Sequence, residues 1–548
     1  MNLFISGIGG AGLGPLAELA LDAGYQVFGS DLNHSLQTAE LETRGVQISY
    51  AQSREDLAKV HQQNPIDWLI HSSAIPETSP ELRFAKASQI RVSKRDEFLA
   101  SFIREKKLKL IAVAGTHGKT TTTAMLVWTF KTLNLPISYS VGATLPFANS
   151  GHYDKNSRFF LYEADEYDRN FLKFSPEISL IPSIDYDHAD TYPTREDYQN
   201  AFREFISQSQ KTILWHNDFV KLKISPDIQA LKNSRQNRSM KSYTNQNLAK
   251  NLDKFLILNR ESPLAKINLP GAKNRENAEL VLALFRELWP EIARENLQII
   301  DGFNAPKIAN ILSQFPGTSR RMEKLRENLY TDYAHHPTEI AATLEKAREI
   351  LNLQNSREAS TKNSPKIANH LIGQNAQKLI REFAKNSGET SRNPHQDSSE
   401  NHEKSSPKKL VAIYQPHQNL RQLEILRDGG YGMSFDEADE IFWLPTYLVR
   451  GDLSNENRQD LPEKSGENTR KKSENNLAKS KPKNHTPQIL SPADLIKTLS
   501  KKSRKIAKSA DLNDELFAEI SQHLREGNLV VAMGAGTIDS WLREKLAR

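Results

Sequence analysis

The chain has 548 residues, 38% of them hydrophobic and 26% charged, which exceeds one ordinary core and predicts two to four domains. Lysine and arginine number 73 against 67 acidic residues, and the excess lies in polar lysine-rich stretches without interleaved aromatics, which argues for solvated surface and against a nucleic-acid partner. The absence of cysteine excludes disulfides and thiolate metal sites, and the apolar runs fall short of the ~18 residues of a membrane helix, so no membrane insertion is expected.

Met1-Asn2-Leu3-Phe4-Ile5-Ser6 has no basic lead of a signal peptide, and a cytoplasmic protein is expected. The segment reads as a strand running into Gly7-Ile8-Gly9-Gly10-Ala11-Gly12, followed by a helical stretch to Ala23 and a strand Gln26–Gly29 ending at Ser30-Asp31. Asp31 stands nineteen positions after Gly12, which is dinucleotide-fold spacing. The pattern supports a pyrophosphate at a helix N-terminus without saying which one, and the glycines also suit tight turns alone. Trp68–Ile75 reads as another strand, with Ser72, Ser73 and Ala74 at a ligand-facing sheet edge.

A second unit opens with the apolar strand Leu108–Ala112, then Gly115-Thr116-His117-Gly118-Lys119-Thr120-Thr121 and a helix from Thr123 to Phe130. A strand, a glycine turn and a helix bearing Gly-Lys-Thr form a phosphate cradle, in which Lys119 reaches the outer phosphates and the Thr120 hydroxyl suits Mg²⁺. Val113 stands where the general pattern has its first glycine. Two further strands, Phe159–Glu163 and one starting at Ile178, deliver acidic and histidine groups at their carboxyl ends, making Glu163 and His188 metal partners for Thr120, with solvated loops as the alternative.

The third unit begins after Gln314–Arg321. Strands are predicted at Asn328–Thr331, Leu410–Tyr414, Glu440–Leu444 and Leu529–Met533, and helices near Pro337–Leu351, Pro492–Leu499 and Asn513–Arg525, which alternate as in a βαβ sheet. His335 and His336 point to different sides as neighbours and read as substrate contacts rather than metal ligands. Two stretches, about 354–408 and 453–486, are polar and poor in apolar residues, and read as disordered insertions, with a short helix at Gln377–Ala384 in the first.

Taken in order, these motifs resemble those of the Mur ligases, the ATP-dependent amide-forming enzymes of peptidoglycan synthesis. The shortened loop Gly115–Thr121 is the form that family carries, and Gly29-Ser30-Asp31, Ser72-Ser73-Ala74-Ile75, Asp332-Tyr333 with His335-His336-Pro337-Thr338-Glu339-Ile340, Gln415-Pro416-His417 and Gly534-Ala535-Gly536 match as well. The resemblance covers the chain apart from the two insertions. It implies an α/β protein of three domains: a Rossmann-like UDP-sugar domain (1–106), a central P-loop ATPase domain (107–316) and a C-terminal Rossmann-like domain for the amino acid (317–548).

The resemblance also implies ATP and Mg²⁺ as cofactors, and UDP-N-acetylmuramate and a small amino acid, L-alanine, as substrates of a monomer or homodimer. Gly7, Gly9, Gly10, Gly12, Ser30, Asp31, Ser72, Ser73 and Ala74 would then hold the UDP-sugar, which favours UDP over NAD for the first loop. Gly115, Thr116, His117, Gly118, Lys119, Thr120 and Thr121 would bind ATP together with Asn274, Arg320 and Asp332. Lys119, Glu163 and His188 would carry the chemistry, and Thr120, Glu163 and His188 the metal. His335, His336 and Arg421 would approach the amino acid.

The chain departs from the family pattern at Tyr167, where a tripeptide-adding relative has tyrosine, and at Lys273, Gln418 and Arg450-Gly451-Asp452. A glutamate-adding folate ligase shares the loop style but lacks the first domain. A non-catalytic nucleotide sensor is the reading from another class, against which the intact Lys119, Thr120, Glu163 and His188 argue.

Overall fold

A computed structural model describes residues 1–72, 75–188, 191–224, 253–295, 302–361, 407–448 and 489–547. Ser73, Ala74, Gln377–Ala384, Arg450–Asp452 and nearly all of both polar stretches lie outside the described residues. The chain divides into two compact units, with the boundary along the chain between Ser319 and Arg320.

The first unit holds two sheets. One is wholly parallel, in the order β3-β2-β1-β4-β5, from β1 (Asn2–Ser6), β2 (Gln26–Ser30), β3 (Gln47–Ser49), β4 (Trp68–His71) and β5 (Arg91–Lys94). The order reverses beside β1, so the glycine loop after β1 opens at a topological switch point, where such sheets bind ligands.

The other sheet runs β12-β11-β10-β6-β9-β7-β8 and is parallel except for the β7–β8 pair. Its strands are β6 (Lys109–Val113), β7 (Ser138–Ser140), β8 (Gly151–His152), β9 (Phe159–Glu163), β10 (Ile178–Ile181), β11 (Lys211–Trp215) and β12 (Phe255–Leu258). The central strands are near-continuous apolar runs because helices cover both faces. The helix Lys119–Thr132 is buried all round from Thr122 to Phe130, and Trp128 donates its indole N–H to Ile311 O at 2.9 Å. A helix apolar on every side must sit inside its domain.

These two sheets form one unit because the helix Gly14–Asp22 locks onto the β7–β8 hairpin. Glu18 Oε2 accepts the Gly151 N–H at 2.6 Å, while Asp22 Oδ2 lies 2.6 Å from His152 Nδ1 and accepts the Tyr153 N–H at 3.1 Å. Glu18 is 1% exposed, and burial pushes its carboxyl up to about 7.

The second unit has one sheet, β13-β14-β18-β15-β16-β17, built from β13 (Glu323–Arg326), β14 (Leu329–Asp332), β15 (Leu410–Tyr414), β16 (Glu440–Trp443), β17 (Ala507–Ser509) and β18 (Leu529–Met533). Only β13 runs antiparallel to its neighbour. The helix expected to end at Leu351 continues to Thr361, into the stretch read as the start of the first insertion. Polar residues on its later turns hid it from an apolar-period reading, although good helix formers such as Gln354, Arg357, Glu358 and Ala359 fill those turns. The short helix Lys501–Ile506 leads into β17, which completes the sheet edge beside β16; neither was expected.

Candidate active site

The phosphate loop follows from the end of β6. Val113 is the last residue of that strand, which explains why it replaces a loop glycine: the turn proper is Ala114–Gly118. Gly115 has φ +153° and a Cβ there would stand 2.7 Å from Ser183 O, while Gly118 has φ +86° and its Cβ would stand 2.7 Å from Asn277 Oδ1. Both positions need glycine on two grounds, conformation and space. The loop is tied to the end of β10 through Thr116 N to Ser183 O (3.0 Å), His117 N to Ser183 Oγ (2.9 Å) and Thr116 Oγ1 to Asp185 O (2.7 Å). Thr121 is half-buried on the first turn of the following helix.

Lys119 curls back over its loop, donating to Gly115 O at 2.6 Å and to both carboxylate oxygens of Glu166 at 2.9 and 2.7 Å. Burial works against the charge on each partner, but each favours the other's ionised form, so Lys119 is held above its ordinary value and Glu166 below its own. His188, at φ +57°, brings Nε2 to 3.6 Å from Glu166 Oε1; burial opposes its protonation, but Glu166 and Asp187 raise its pKa overall.

Register in the sheet sets Val113 beside Glu163, so the loop and the end of β9 are neighbours. Thr120 Oγ1 donates to Glu163 Oε1 at 2.6 Å, and Glu163 Oε2 accepts the Gly142 N–H at 2.9 Å. A hydroxyl and a carboxylate oxygen this close form a hard-cation donor pair, and Mg²⁺ commonly takes one or two carboxylates with substrate phosphates supplying the rest. Among the described residues no group of three or more His, Asp or Glu is placed to hold a metal by itself. The donors present fit a cation shared with phosphate.

The first glycine loop is shaped by its own strand neighbours. Gly7 N and Ile8 N donate to Ser30 O (2.7 and 3.0 Å), Gly10 N to Gly7 O (3.1 Å), Ser72 N to Ser6 O (3.2 Å), and Gly9 N to Asp31 Oδ2 (2.9 Å). Ser30 is fully buried and acts on the loop through its carbonyl, and Asp31 caps the loop amide. A Cβ on Gly12 would stand 2.5 Å from Arg95 Nη1. The Arg95 side chain is 24% exposed and also lies 5.9 Å over the Tyr162 ring. Arg95 is ion-paired with Asp96 (Nη2 to Oδ1, 3.2 Å) beside the first glycine loop, and sequence reasoning did not nominate it.

Other nominated residues fall into two groups. Asn274 donates to Pro270 O at 3.1 Å, whereas Asn277, one turn later, is the residue against Gly118. In the second unit Arg320 Nη2 donates to Gly534 O (3.2 Å) with its guanidinium 4.6 Å from the Tyr333 ring centre, and buried Asp332 accepts from Met322 N (2.7 Å) and Ala334 N (2.8 Å). His335 Nδ1 lies 3.1 Å from Tyr333 O, and its ring is 6.3 Å from that of His417. His336 Nδ1 accepts the Thr338 N–H at 3.4 Å, and Arg421 Nη1 donates to Glu424 Oε2 at 3.2 Å. A chain of polar contacts from His335 O through Tyr414 and Tyr431 to Gln422 and His417 O ties the loop that carries His335 to the helix Asn419–Arg427 that carries Arg421.

Parallel α/β sheets with a phosphate loop, an adjoining oxygen pair and a second glycine loop define a nucleotide-binding protein of the P-loop class. Residues 4–107 match the Mur ligase family, catalytic domain, and residues 113–285 match the Mur ligase middle domain. The chain belongs to the Mur ligase family. The UDP-N-acetylmuramate–L-alanine ligase of Clostridium acetobutylicum is 34% identical over 363 residues, 62% of this chain and 73% of that one. The ligase of the same name from Clostridium botulinum is 29% identical over 467 residues, covering 82% and 84% of the two chains. In fold, the chain resembles the crystal structure of the UDP-N-acetylmuramate-alanine ligase of Thermotoga maritima, with a TM-score of 0.62 at 20% identity over 100% of this chain and 99% of that one.

Proposed function

We propose that this chain is an ATP-dependent ligase that joins L-alanine to the lactyl carboxylate of UDP-N-acetylmuramate, making a peptidoglycan precursor. The carboxylate attacks the γ-phosphate of ATP, giving an acyl phosphate and ADP; the alanine amine then displaces phosphate to form the amide. The observation that carries this reading is the phosphate loop with two hydrogen-bonded pairs at it, Lys119 with Glu166 and Thr120 with Glu163, in a chain similar to alanine-adding ligases over most of its length.

Phosphoryl transfer needs positioning and charge neutralisation more than covalent help from the protein. Lys119 and the loop amides hold the outer phosphates. Thr120 and Glu163 are the residues that would hold Mg²⁺, with His188 nearby through Glu166; the bound ion neutralises charge on phosphate oxygens. Arg95 supplies a fixed cation to the UDP-sugar diphosphate. His335, His336 and Arg421 receive the amino acid, a guanidinium being the natural partner of its carboxylate.

Tyr167, whose ring lies 5.2 Å from that of His188, stands where the resemblance to a tripeptide-adding relative has tyrosine, and this identity supports a second reading in which the acceptor is a recycled tripeptide. Purified protein with ATP, Mg²⁺ and UDP-N-acetylmuramate is assayed for phosphate release with L-alanine, glycine, L-serine or L-Ala-D-Glu-diaminopimelate. Release with L-alanine is the expected result. Release with the tripeptide alone selects the second reading, and no release with any acceptor removes the ligase assignment.

A further inference from the structure

Glu166 is 1% exposed, and its two side-chain partners among the described residues are both in the site: Lys119 on both oxygens, at 2.9 and 2.7 Å, and His188 Nε2 at 3.6 Å. Its backbone is held as well, since Tyr192 donates its hydroxyl to Glu166 O at 2.5 Å and Arg169 N donates to the same oxygen at 3.1 Å. A buried carboxylate must have its oxygens paired, and the partners chosen say what it is tied to. This one grips the cation of the phosphate loop and a histidine from a different strand end.

The neighbouring Glu163 has a different set of contacts, the Thr120 hydroxyl and the Gly142 amide. The two glutamates therefore divide the site, one facing the hydroxyl side and one the ammonium side. Phosphate oxygens entering the loop carry the same charge as Glu166 and compete with it for one ammonium.

We propose that Glu166 is a positioning residue: its carboxylate holds Lys119 and His188 in place before nucleotide arrives, yields Lys119 to the phosphates, and keeps His188 oriented during phosphoryl transfer. The proposal rests on the ligase reading for its effect on turnover, and on geometry alone for its effect on nucleotide affinity.

The test compares Glu166→Gln and Glu166→Asp with the parent chain in three measurements: ATP affinity by calorimetry in EDTA, acceptor-dependent phosphate release with Mg²⁺, and melting temperature. Glu166→Gln removes the competing charge, so ATP binds several-fold tighter without metal, while kcat falls about 10- to 100-fold as Lys119 and His188 lose their anchor. Glu166→Asp keeps the charge and recovers much of kcat. Unchanged or weaker ATP binding by Glu166→Gln overturns the proposal, as does a lowered melting temperature with kcat and ATP affinity per folded molecule unchanged. Should Glu166→Gln not fold, Glu166→Asp decides, since a shorter carboxylate retracts from Lys119 and the same opposed shifts are expected at smaller size. A parent chain that binds ATP but releases no phosphate refutes the ligase reading and leaves the affinity comparison as the measure of Glu166.

Discussion

Thr120 Oγ1 donates to Glu163 Oε1 across 2.6 Å, joining the helix behind the phosphate loop to the last residue of β9. The contact exists because β6 and β9 are parallel neighbours in a register that sets Val113 opposite Glu163. One strand delivers the loop and the next delivers the carboxylate, at the same sheet edge.

Thr120→Ala removes the hydroxyl and leaves Glu163 the Gly142 amide as its anchor. The Mg²⁺ concentration for half-maximal phosphate release is expected to rise about tenfold, with a stability loss of about 1 kcal/mol. A magnesium titration of the variant checks this, and an unshifted curve would remove Thr120 from the metal site.

Lys119→Ala leaves the Glu166 carboxylate buried without its main partner. Phosphate release is expected to fall about 10³-fold or more, and stability by roughly 3 kcal/mol. Adding Glu166→Gln removes the stranded charge, so the double variant regains melting temperature without regaining activity. Thermal melts and rates on the three proteins separate the two effects, and a double variant no more stable than Lys119→Ala contradicts the buried-pair account.

Glu18 provides a pH test of the lock between the helix Gly14–Asp22 and the β7–β8 hairpin. Its carboxyl is raised from 4.5 to about 7 by burial, against the pull of Gln37, the Gly151 amide and Arg44 and with a smaller push from Glu40. Below pH 4.5 it is protonated folded or unfolded, and it costs nothing. As pH rises toward 7 the unfolded chain ionises first, so stability falls across that window and stays lower above it, by about 3 kcal/mol at most. Glu18→Gln keeps an acceptor for Gly151 N without the charge, so its gain in melting temperature over the parent is expected to be larger at pH 8 than at pH 5.

Arg95 stands against Gly12 at the first glycine loop. Arg95→Ala is expected to weaken UDP-N-acetylmuramate binding about 10- to 100-fold while leaving ATP affinity unchanged, and Arg95→Lys to recover only part, since an ammonium lacks the planar fork. Calorimetry with each ligand separately measures both affinities; equal losses for the two would point to a general packing defect.

Both glycine loops, the strands that lead into them and the helix after Lys119 were legible in the residues because each is encoded by neighbours along the chain: an apolar run, a turn that tolerates positive φ, then a helix start. Thr120 and Glu163 were legible for a related reason, since strand ends in parallel sheets share an edge. Asn277 matches the family motif together with Asn274, but only the fold sets it against Gly118. Glu166 and Arg95 were not singled out: Glu166 lies just past β9, where the turn decides its direction, and Arg95 reaches its loop from a helix elsewhere in the chain. Local sequence thus determined which backbone segments can cradle phosphate. Tertiary packing decided which charged side chains meet there, because burial and convergence of distant segments choose among acidic and basic residues that look alike in one dimension.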